Sequence, residues 1–151
     1  MSMTTKAICR NKLYLIYILC CISACSSGSI SEEEVDASVR ASSSALELYA
    51  GTHSGLMITS ITLSQVKVDA VYKDAWEIPD DWRPSSEALL ALEEAEEFRD
   101  QKYYFALVEV AGTCKGRSNI TDSREHSKEF KGKVLYNVSK KEAIPMDVRF
   151  N

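Results

Sequence analysis

The stretch from Leu56 to Tyr72 leaves the chain the fewest options. It is rich in β-branched residues (Ile58, Thr59, Ile61, Thr62, Val66, Val68 and Val71), whose stiff side chains favour extended backbone. Its apolar positions alternate, but Ile61 and Leu63 lie on one parity while Val66, Val68 and Ala70 lie on the other. A period of two that slips by one residue demands a bulge or a bend, because otherwise half of these side chains turn to water. The spacing predicts two strand segments, 56–63 and 65–72, with an irregularity near Leu63–Ser64.

Three further segments read as strands. Tyr103 to Gly112 carries Phe105, Leu107, Val108 and Val110. Glu129 to Ser139 alternates, with Phe130, Val134, Tyr136 and Val138 one way and Lys131, Lys133 and Asn137 the other. In 144–150, Ile144, Met146, Val148 and Phe150 share a parity, and Lys140-Lys141-Glu142 is short enough to close a hairpin. The polar stretch 115–128 reads as a loop. A helix is expected from about Ser86 to Gln101, entered through Pro84 and Ser85 with Glu87 in its first turn. Ala88, Leu92, Ala95 and Phe98, flanked by Leu89 and Ala91, line one side; Glu93, Glu94, Glu96, Glu97 and Asp100 fill the other. The expected class is α+β: one main amphipathic helix (about 86–101) packed on a largely antiparallel sheet of four to five strands.

The N-terminus carries a different signal. Lys6, Arg10 and Lys12 precede an uncharged run from Leu13 to Ser23. That run is shorter than the roughly 20 apolar residues that span a bilayer, so it reads as the apolar part of a cleaved secretion signal. Its end, Ile22-Ser23-Ala24-Cys25, resembles the bacterial lipobox: a branched aliphatic, two small residues, then cysteine. The resemblance implies that Cys25 is lipidated on its thiol and becomes the N-terminus of a membrane-anchored lipoprotein of the bacterial cell envelope. Ser26, rather than aspartate, follows it; by the same resemblance this implies the outer membrane, facing the periplasm. An ordinary secretory signal cut after Ser26 is the open alternative.

The expected organisation is a signal peptide over 1–24, a lipidated, serine-rich and partly helical tether over 25–50, and a single α+β domain over 51–151. A tether of roughly 20 flexible residues reaches about 25 Å. Within it, Ser31 and Glu34 make a capping box, and Val35, Val39, Leu46 and Tyr49 recur at helical spacing. Gly51-Thr-His-Ser-Gly55 reads as a turn.

Without residues 1–24 the chain holds 22 acidic against 15 basic residues, a formal charge of −7. That argues against nucleic acid as a partner, since its phosphates demand a basic footprint. Asp74 to Asp100 carries a local −8, and Lys115 to Arg149 a local +4, a polarity suited to steering a charged partner. Cys9, Cys20 and Cys21 leave with the signal. Cys114 reads as a buried, inert thiol, with a Cys25–Cys114 disulfide as its rival fate if Cys25 carries no lipid.

No catalytic constellation stands out. The helix carboxylates repeat at i, i+4 as like charges on a solvated face rather than opposed across a pocket. His53 and His126 lack further ligands at zinc spacing, and no G-x-S-x-G elbow is present. No metal or cofactor is expected. Trp76, Asp80, Asp81, Trp82 and Arg83 lie on a proline-stiffened loop and are residue types that anchor interfaces; the competing reading packs both indoles into the core. The function expected is that of a lipid-anchored envelope protein with a small non-enzymatic protein-binding domain, an accessory subunit of an envelope assembly. The alternatives are a periplasmic immunity or inhibitor protein that blocks a toxin or hydrolase, and a small hydrolase. The hydrolase requires His126 and a carboxylate to converge in the 115–126 loop.

Overall fold

The structure is a computed structural model, and it describes residues 28–96 and 101–151. Its centre is a four-stranded antiparallel meander, β1 (Met57–Tyr72), β2 (Tyr104–Arg117), β3 (His126–Val138) and β4 (Ala143–Phe150), in the order β1-β2-β3-β4. Three helices join it: α1 (Glu32–Ala41), α2 (Glu47–Ser54) and α3 (Ser86–Glu96). The fold is α+β, with helices packed on an antiparallel sheet.

The parity slip in β1 has a structural answer. The two expected segments are one continuous strand, and its register against β2 shifts at three places: between Ile58 and Ser60, Leu63 and Gln65, and Val68 and Ala70. Thr59, Ser64 and Asp69 are the extra residues. Each bulge resets the alternation, so Ile58, Ile61, Leu63, Val66, Val68 and Val71 all pack toward the same core. Opposite the middle bulge stands Gly112, where an added Cβ would lie 2.2 Å from the Thr62 carbonyl oxygen. Only glycine fits that close approach.

Two clusters cover the two faces of the sheet. On the inner face, Ala106, Val108, Val110 and Cys114 of β2 meet Phe130, Val134, Tyr136 and Val138 of β3 beneath Val35, Val39, Leu46 and Ala50. On the outer face, Phe105, Leu107 and Leu135 pack with Ile78 and Trp82, with Leu89 and Leu92 of α3 at the margin. α3 buries no residue fully. Its half-buried stripe is Ala88, Leu89, Leu92 and Ala95; Phe98, expected beside them, lies outside the described residues.

The main correction concerns the tether. Residues from Ile30 onward belong to the fold, because Ile30, Val35, Val39, Leu46 and Ala50 are core residues, so the folded unit begins well before residue 51. The serines that suggested flexibility hold the helix down. Ser38 Oγ donates to the Ser139 carbonyl at 2.7 Å, and Ser42 Oγ accepts from the Ala143 amide at 3.0 Å. The capping box forms, with Ser31 Oγ accepting from the Glu34 amide and Glu34 from the Ser31 amide. Residues 47–54 continue as helix through Gly51, and the turn falls on Gly55 alone, at φ 69°.

β4 also departs from simple alternation. Leu135 pairs with Asp147 and Tyr136 with Pro145, so Met146 is an extra residue. Val148 and Phe150 therefore pack on the inner cluster while Met146 packs on the outer one. β2 runs to Arg117 and β3 starts at His126, which shortens the expected loop to 118–125.

Candidate interaction surfaces

The meander has two ends, and the candidate residues divide between them. One end gathers Tyr72, Tyr104, Val138 and Ala143; the other gathers Met57, Arg117 and His126. The 14 residues of β2 separate them by roughly 45 Å.

The first end holds the tryptophan loop, and the structure splits the expected cluster. Trp82 is 9% exposed and belongs to the outer core, with the Arg149 guanidinium 3.8 Å above its ring. Trp76 is 72% exposed. Arg83 is a brace: it donates to the carbonyls of Trp76 and Ile78, both at 3.0 Å, and pairs with Asp80 at 2.8 Å. The Asp81 carbonyl accepts from Arg149. Of the five expected binding residues, then, Trp82 is packed, while Arg83, Asp80 and Asp81 engage the loop itself or β4. A short 3-10 turn at Ala75–Glu77, closed by a capping box from Asp74, presents Trp76. Beside the indole runs a groove of about 410 Å³ lined by Lys73, Leu89, Leu92, Glu93 and Phe105 among others.

The second end contains an apolar patch that the pattern of the sequence does not single out. Leu48 is 77%, Met57 52% and Ile120 83% exposed. Leu48, Leu56, Met57 and Ile58 line one shallow cleft of about 540 Å³. Met57 and Ile58 are shared with a second of about 230 Å³ that reaches Ile120, so the patch is contiguous. A lone isoleucine between Asn119 and Thr121 in a polar loop was the available signal.

Asp122 and His126 do converge here, at 3.0 Å. The order of bonds decides what they can do. Ser118 Oγ donates to the Asp122 carboxylate at 2.6 Å, and the Arg124 amide donates at 2.9 Å. The Ser118 hydroxyl, the Arg124 amide and His126 hold the Asp122 carboxyl down to about 2. The carboxylate thus sits between serine and imidazole. A nucleophilic relay needs the imidazole in the middle, taking the hydroxyl proton. The cluster ties the 118–125 loop to β3 and leaves Ser118 unactivated.

Cys114 is fully buried on the inner face, with Sγ 3.4 Å from the Lys128 carbonyl oxygen. The free part of the outer face is a charged ladder. Lys131 pairs with Glu109 at 2.8 Å, Lys133 with Asp69 at 2.7 Å, and Lys67 reaches both acids. Among the described residues no group of three or more metal-ligating side chains gathers, and no helix is long and apolar enough to cross a membrane. Cys25 lies outside the described residues. Comparison with known protein families, curated proteins and solved structures finds no match.

Proposed function

We propose that the chain is a lipid-anchored protein of the bacterial cell envelope whose small domain is non-enzymatic and docks another envelope protein. The observation that carries this reading is the contiguous apolar patch of Leu48, Met57, Ile58 and Ile120 at the sheet end formed by Met57, Arg117 and His126. Contiguous exposed apolar surface marks an interaction site more often than chance exposure does, and methionine suits an adaptable contact. The neighbouring Ser118–Asp122–His126 cluster supports the non-enzymatic part, since its bond order gives no activated nucleophile. The anchor rests on the lipobox resemblance at Cys25.

The test is affinity capture from native envelopes with tagged full-length protein beside Met57→Lys and Ile120→Lys. Both side chains are exposed, so melting temperatures should stay within a degree or two of wild type. The reading expects one partner recovered by wild type and lost by both folded variants. Recovery unchanged in both would refute docking at this patch.

A further inference from the structure

Gly28 is tied to the start of β2. The Gly28 carbonyl accepts from Lys102 Nζ at 3.4 Å and from the Tyr104 hydroxyl. Tyr104 opens β2 and pairs with Val138, while its neighbour Phe105 pairs with Tyr72. The chain therefore enters the fold at the same sheet end as the tryptophan loop. Cys25 precedes Gly28 by three residues, which cover about 10 Å when fully extended. A flexible spacer of some 25 Å is not available, because the serine-rich helix it would have used is docked on the sheet.

We propose that this end of the sheet lies against the bilayer, with the indole of Trp76 seated among the lipid headgroups as a second contact beside the Cys25 anchor. The proposal rests on lipidation of Cys25. Trp76 is suited to that place: it is 72% exposed, it follows directly from the end of β1, and a braced loop presents it at small entropic cost. Tryptophan rings favour the membrane–water interface, where an apolar body and a polar N–H are both accommodated.

Charge does not drive the seating. Lys73, Lys102, Lys140 and Lys141 flank the strand termini at this end together with Asp74, Glu77 and Glu142, and Lys140 already pairs with Glu34 at 2.9 Å. The contact is accordingly expected to be insensitive to salt and to anionic lipid. It also orients the molecule: Ile120 and Met57 point away from the membrane, some 45 Å along the sheet.

The experiment uses lipidated full-length mature protein in phosphatidylcholine vesicles carrying brominated acyl chains, with the state of Cys25 read by mass spectrometry of the N-terminal peptide. Bromine quenches only indoles near the lipid. Wild type should lose emission relative to unbrominated vesicles, and the Trp76→Phe variant, which keeps only the buried Trp82, should not. Ile120→Trp placed in the Trp76→Phe background should stay unquenched as well. Lipid on Cys25 with unquenched wild-type emission would overturn the orientation alone, as would quenching of the position-120 indole. An unmodified Cys25 would overturn the anchor reading and the orientation with it.

Discussion

At the scale of single residues, side chains of one type have opposite roles. Trp82 is packed under Arg149 on the outer core, so Trp82→Ala should cost about 3–5 kcal/mol and lower the melting temperature sharply. Trp76→Ala removes an exposed ring and should change stability by no more than about 0.5 kcal/mol. Thermal denaturation of the two variants side by side checks both; equal losses would mean that the loop is packed differently. Tyr136 offers a contrasting case. Its hydroxyl is buried with no hydrogen-bond partner among the described residues, and desolvation pushes its phenol well above the ordinary tyrosine value. Removing a buried, unpaired hydroxyl removes a desolvation penalty. Tyr136→Phe should therefore leave the melting temperature unchanged or raise it, and a clear fall would reveal a partner for that oxygen.

At the scale of elements, the helices over 32–54 are the part of the fold least visible beforehand. The capping box and the apolar spacing of Val35, Val39 and Leu46 were legible, and all three side chains are buried. The serines were misleading because their use depends on partners about 100 positions away: Ser38 bonds the Ser139 carbonyl and Ser42 the Ala143 amide. Local composition carries no record of such contacts. Leu46→Ala should cost about 2–5 kcal/mol of the whole domain's stability; a tether residue would cost nothing. β1 shows the opposite case. One slip was legible near Ser64, yet three bulges are needed to keep six apolar side chains on the inner face. The others, at Thr59 and Asp69, leave a trace only once the partner strand is known. Gly112→Ala tests the packing at the middle bulge, and its Cβ clash with the Thr62 carbonyl should destabilise the domain. The apolar patch was illegible for a related reason: Leu48, Met57 and Ile120 come from a helix, a strand and a loop, and only the fold makes them neighbours.

At the scale of the whole molecule, charge and apolar surface are segregated. The free outer face is held by Lys67, Lys131 and Lys133 against Asp69 and Glu109, and both carboxyls lie below their ordinary values, chiefly through Lys133 and Lys131 respectively. Glu34 is lowered likewise by Lys140. A carboxylate whose folded pKa is depressed contributes stability that is present above its unfolded value, near 4, and lost as pH falls through the folded value. The melting temperature should thus be flat from about pH 5 to 8 and decline below about pH 4; a decline that starts near neutrality would contradict this account. With α1 and α2 on the inner face, and α3, the tryptophan loop and the solvated ladder on the outer one, the two ends of the sheet remain as contact surfaces. Trp76 and the chain entry mark one, and Met57 with Ile120 mark the other. The most direct test of this division is photo-crosslinking in native envelopes, with a benzophenone amino acid at position 76 or at position 120 of the full-length protein. The account predicts a discrete protein adduct from position 120 and none from position 76, where lipid covers the side chain. A protein adduct from position 76 and none from position 120 would contradict it.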